Sequence, residues 1–117
     1  MANNHYLDNA RFEILIKEYT NGDKTNENEL VQMFELLITN VLMGFKFQIE
    51  YDDAKQDCFL LILKILKNFN RNDGTAFNYF TTVIVNNLRL IYTKNKKYSE
   101  KISKYQDHII NQNPSSS

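Results

Sequence analysis

With 117 residues, 43% of them apolar and 13% aromatic, the chain has the length and composition of one folded domain rather than a disordered segment. Three Gly, one Pro and one Cys disfavour a hairpin-rich β fold and rule out an internal disulfide, and no apolar run reaches the ~18 residues of a membrane-spanning helix. The formal net charge of zero hides an asymmetry, because residues 1–63 hold five Lys/Arg against eleven Asp/Glu, whereas residues 64–105 hold nine Lys/Arg against Asp73 and Glu100.

Residues 1–8 are polar, carry no signal-peptide pattern and read as a frayed end. Phe12, Leu15, Ile16 and Tyr19 recur at helical spacing, which predicts a first helix from Asn9 to Tyr19 with Asp8 or Asn9 as its N-cap. The stretch TNGDKTNEN (20–28) is a loop in which Gly22 supplies a C-cap or a turn at positive φ. Asn26 or Asn28 then caps a second helix over 28–43, striped by Leu30, Phe34, Leu37, Ile38, Val41 and Leu42 and ended by Gly44. FKFQIEY (45–51) reads as a short irregular connector. Asp52 and Asp53 suit the positive end of a third helix. That helix carries Phe59, Ile62, Leu63, Leu66 and Phe69 on one stripe and Leu60, Leu61 and Ile65 around it, which predicts a helix central to the core. Cys58, among them, reads as a buried small side chain. After a turn at Asn72, Asp73 and Gly74, a fourth helix buries Phe77, Phe80, Ile84, Leu88 and Ile91. It continues into Lys94, Lys96, Lys97, Lys101 and Lys104, with a break allowed near Asn95, and residues 106–117 read as a disordered tail. The expected architecture is all-α, a compact bundle of four to five helices over residues 1–105.

The chain offers no convergent catalytic set. His5 and His108 stand near opposite ends at no ligand spacing, and Asp52, Asp53 and Asp57 read as helix-start charges rather than a carboxylate site. With no glycine-rich phosphate loop and no nucleophile motif, no enzymatic activity, cofactor or metal is expected. Binding chemistry is easier to find. An acidic half suits a protein surface and a basic half suits phosphate. On the fourth helix Tyr79, Thr82, Asn86, Arg89 and Thr93 form a polar-aromatic stripe opposite the apolar one. Aromatic rings stack on unpaired bases at about 1–3 kcal/mol each, Asn and Thr bond base edges, and Lys and Arg hold phosphates. Tyr79, Phe80, Thr82, Asn86, Asn87 and Arg89 are therefore candidate readers, and Lys94, Lys96 and Lys97 candidate anchors. Phe80 fits the core equally well.

The segment DDAKQDCFLLILKILKNFN (52–70) resembles region 2.2 of bacterial sigma factors through Asp53, Gln56, Asp57, Phe69 and Asn70, with Ile65 at a position where the family usually has Ala. Downstream, Gly74, Phe77, Phe80 and Thr82 match the spacing of the region 2.3 pattern G-x-x-F-x-x-Y-x-T, with Phe80 in place of Tyr. The resemblance spans about residues 30–105. The short chain ending in KNKKYSEKISKY is most similar to the divergent late-transcription sigma factors of tailed phages. It implies that Asp53, Gln56, Asp57 and Phe59 dock on the clamp helices of the largest subunit of core RNA polymerase. It also implies that Phe77, Tyr79, Phe80, Thr82, Val83, Ile84, Asn86 and Asn87 line the melted non-template strand, so that capture of unstacked bases favours the open state. Three further features depart from the family. No helix-turn-helix follows that would read an upstream −35 element, so recognition of only a short proximal sequence is expected. Val83 and Ile84 replace the tandem tryptophans at the bubble edge, and HIINQNPSSS (108–117) lacks the acidic-aromatic character of a sliding-clamp motif.

The expectation is thus a sigma-like initiation factor in a bacterial host cytoplasm, a setting that a lone cysteine fits. It would bind core RNA polymerase, recognise and melt a −10-type late promoter element, and work with or without a phage co-activator. The alternative is a helical polymerase-binding regulator, co-activator or anti-sigma-like, that does not read promoter DNA. A free-standing DNA-binding domain is a third reading, which the acidic first half opposes.

Overall fold

The computed structural model describes residues 7–70 and 74–112. The expected turn at Asn72 and Asp73, residues 1–6 and the last five residues of the expected tail lie outside them. Four helices follow in order: α1 (Asn9–Thr20), α2 (Glu27–Gly44), α3 (Tyr51–Leu66) and α4 (Ala76–Gln112). There is no strand among the described residues. No helix among them is long and apolar enough to cross a membrane.

Local chemistry sets the helix ends. The Asp8 side chain accepts from the Arg11 backbone N–H at 3.1 Å and so caps α1. Leu7 and Phe12 occupy the N′ and N4 positions of a hydrophobic staple, and both are buried. The chain is therefore tied down one residue before the cap, earlier than the polar residues 1–8 predict. Helix α1 closes with a Schellman motif. Gly22, at φ 93°, donates to the Tyr19 carbonyl, and Asp23 donates to that of Glu18. Asn26 stands at the N-cap of α2 but makes no capping bond with its side chain. Its amide instead donates to Glu18 at 3.1 Å, joining the loop to α1. Helix α3 starts one residue before Asp52, so Glu50 becomes the N-cap, and its carboxylate accepts from the Asp53 N–H at 2.8 Å. Asp52 and Asp53 sit in the first turn and contribute charge rather than a cap.

The start of α4 is capped from a distant part of the chain. The two carboxylate oxygens of Glu13, on α1, accept from the backbone N–H groups of Ala76 and Phe77 at 3.0 and 2.9 Å. The Thr75 hydroxyl takes the next one, from Asn78, at 3.1 Å. Three of the four orphan donors of the helix are thus satisfied. Glu13→Ala removes both distant acceptors and a favourable charge at the helix dipole, so a loss of about 1–2 kcal/mol is expected in thermal or urea melts.

Three phenylalanines from three helices hold the centre of the core. Phe12, Phe34 and Phe80 are fully buried and meet edge to face, with ring centroids 5.2 Å (Phe12–Phe34), 5.0 Å (Phe34–Phe80) and 6.4 Å (Phe12–Phe80) apart. Phe69, just past α3, adds a fourth ring 5.0 Å from Phe80. Arg11 and Glu29 join α1 to α2 by two hydrogen bonds of 2.9 and 2.7 Å, and the bond from Arg11 holds the Glu29 carboxyl below its ordinary range.

Helix α3 differs from its expected role. Its buried stripe is Ala54, Cys58, Ile62 and Leu66, not one built on Phe59 and Leu63, and Leu60 is 58% exposed. Ala54 and Cys58 are small, which lets neighbouring helices approach closely along that line. Phe59 and Ile65 pack at the margin of the core instead. The helix covers the core from one side rather than running through it. Helix α4 has no break at Asn95 and stays helical to Gln112, past the point where the apolar pattern stops. At 1.5 Å per residue its 37 residues span about 55 Å, most of the 68 Å long axis of the molecule.

Candidate functional site

Helices α3 and α4 run antiparallel. Phe69, at the end of α3, packs on Tyr79 and Phe80 early in α4. Asp57 accepts a hydrogen bond from Asn87 at 2.8 Å. Glu50 and Asp53, at the α3 start, line a shallow cleft with Ile91 and Asn95. The acidic beginning of one helix thus lies beside the point where the other turns basic.

The outer face of α4 carries the polar candidates. Thr82, Asn86, Arg89, Thr93 and Lys96 recur every three or four residues on the side opposite Ile84 and Leu88, and all are exposed. Lys94 and Lys97 are exposed as well. Tyr79 is partly buried at one margin of this face, its ring against Phe69 and Phe80. Val83 is also half-buried. Phe77 is partly buried against the core, and its N–H is held by Glu13.

Three expected readers are placed elsewhere. Phe80 and Ile84 are both 0% exposed, so their side chains belong to the core and touch no strand on the surface. Burial also explains why Phe rather than Tyr suits position 80: a hydroxyl among these rings would lose its hydrogen bonds to water at a cost of about 1–3 kcal/mol. Asn87 faces α3, where its amide donates to Asp57 and to the Cys58 Sγ at 3.4 Å. It holds the two helices together instead of facing a base. The Cys58 thiol is pushed up by burial and further by Asp57, against the opposing pull of the Asn87 bond, so it stays protonated and unreactive.

On α3 the expected docking residues divide in the same way. Asp53, Gln56 and Asp57 are exposed, whereas Phe59 packs partly against the core. Leu60, one turn beyond Gln56, was not marked by the sequence as a surface residue, yet it is the large apolar side chain of this exposed face. Counting Ala54 and Cys58 into the buried stripe would have revealed it, because the stripe 54–58–62–66 leaves 53, 56, 57 and 60 facing outward.

The chain matches no family model, no curated protein and no solved structure. Among the described residues, no three or more His, Cys, Asp or Glu side chains gather where they could hold a metal ion.

Proposed function

We propose that this chain is a sigma-like transcription initiation factor that binds core RNA polymerase through the exposed face of α3 and holds a −10-type promoter strand on the outer face of α4. The reading rests on the pairing of those two surfaces. Asp53, Gln56 and Leu60 stand free on one helix, and Thr82, Asn86, Arg89 and Lys96 stand free on its antiparallel neighbour. Asp57 and Asn87 couple the two across their contact. Leu60 has Gln56 and Asp57 one turn before it and Lys64 one turn after it, and an exposed apolar side chain among polar and charged ones is the pattern of an anchor with a charged rim that steers association. A row of Thr, Asn, Arg and Lys on one helix face offers base-edge donors and acceptors beside phosphate contacts.

Transcription by purified core polymerase on a premelted bubble template and on the matched duplex, with and without this protein, tests the reading. Initiation that depends on the protein and on the non-template sequence is the expected result. Arg89→Ala with Lys96→Ala is expected to keep polymerase binding, weaken opening of the duplex, and lower the salt slope of strand binding by about 1.4, at ~0.7 per phosphate contact on single strands.

The burial of Phe80 and Ile84 and the engagement of Asn87 leave fewer readers than the full sigma pattern and favour one second reading. This is a polymerase-binding regulator that does not read promoter DNA. It predicts polymerase binding with no dependence of initiation on the bubble sequence.

A further inference from the structure

The connector between α2 and α3, to which the sequence assigned no function, carries an aromatic pair in an unusual position. Phe47 lies 49% exposed, stacked on Tyr92 of α4 with ring centroids 4.6 Å apart and planes inclined by 29°. Phe45, itself packed against the core, meets the Phe47 ring edge-on at 5.6 Å and fixes it from the side. A half-exposed phenylalanine gains little stability from such a position, since much of its surface still meets water. Its nearest charged neighbours along the chain and along α4 are positive, while the acidic Glu50 and Asp53 lie in the adjoining cleft with Ile91 and Asn95. Lys46 is next in the chain, and Arg89 and Lys96 stand three residues before and four after Tyr92, so both neighbour it on the helix surface. All three cations are exposed. No acidic residue lies within four positions of Tyr92 on α4, and Lys46 and Gln48 flank Phe47.

We infer that Phe47 and Tyr92 form a stacking platform for an unpaired nucleobase, with Lys46, Arg89 and Lys96 holding the phosphates on either side. Stacked rings beside cations are the combination that binds single strands without reading their sequence. The position suits the surface already described. Tyr79 and Tyr92 are thirteen residues apart, about 20 Å along the helix, and lie at opposite margins of the Thr82–Asn86–Arg89 face. A strand crossing that face from Tyr79 reaches the platform where the lysines begin. The inference deepens the promoter-binding reading and rests on it for the identity of the strand. The pair adds base contacts that compensate for the burial of Phe80.

The test uses the full chain and single-stranded DNA carrying 5-iododeoxyuridine at successive positions, irradiated with and without core RNA polymerase. Crosslinks at Phe47 or Tyr92 are expected. Phe47→Ala should weaken strand binding by about five-fold or more, whereas Phe47→Trp, which keeps an aromatic face, should bind as the parent does. Equal strand affinity of the parent and Phe47→Ala, or crosslinks confined to residues 76–86, overturns the platform. So does a Phe47→Ala variant that loses polymerase binding and leaves strand binding unchanged, which would assign the patch to a protein contact. Crosslinks at Phe47 without initiation by core polymerase that depends on this protein would support the platform and overturn the promoter reading, so the two can fail separately.

Discussion

Phe80→Ala is expected to destabilise the domain by about 3–5 kcal/mol, the usual cost of emptying a buried phenylalanine site. Few positions in the chain should cost as much. Phe80 is 0% exposed, and its ring lies 5.0 Å from those of Phe34 and Phe69, 5.3 Å from Tyr79 and 6.4 Å from Phe12. Its removal opens a cavity bordered by three helices and the segment after α3, where no single neighbour can move in to fill it. Against a total stability of roughly 5–15 kcal/mol for a domain of this kind, the variant should melt far below the parent or fail to fold. Urea denaturation followed by circular dichroism measures this directly. The result also decides what the residue does. A base-stacking role alone would leave the melt unchanged and remove only strand binding.

Leu60→Asp should do the reverse, sparing the fold and removing polymerase binding. The side chain is 58% exposed, and surface changes away from caps and cores usually stay within about 0.5 kcal/mol. At the centre of a desolvated contact, a buried charge in place of an apolar anchor costs upward of 2 kcal/mol, which is about thirty-fold in affinity. Titration of labelled protein against core polymerase, paired with a thermal melt, reads both quantities. An unchanged affinity would remove α3 as the docking helix. Asp57→Lys, at one of the docking residues that the resemblance implies, is a poorer probe. Asp57 accepts from Asn87, so its loss also disturbs the α3–α4 contact and mixes docking with packing.

The Glu13 bonds to α4 show how information can be absent from local sequence. Glu13 is read from its neighbours as one polar position on an amphipathic helix. Its partners lie 63 and 64 residues away, a separation that no periodicity or capping rule bridges. The α1 caps were legible because every partner lies within five residues: Asp8 with Arg11, Gly22 with Tyr19, and Asp23 with Glu18. The start of α3 was off by one residue for a related reason. Asp, Asp and Glu all suit a helix start, and only the backbone turn at Glu50, with φ −69° and ψ 117°, selects which of them caps.

The sequence by itself determined the all-helical class, the existence of each of the four helices, the buried faces of α1, α2 and α4, and the separation of acidic and basic halves. These follow from period and composition, which act over a few residues. Only the tertiary structure decided which side of α3 is buried, because that helix is apolar on most sides and its orientation depends on where the small Ala54 and Cys58 allow close approach. It likewise decided that Asn87 bonds Asp57 and that Phe47 lies on Tyr92. Each of these depends on which groups from distant parts of the chain meet, and spacing along a single helix carries no record of that.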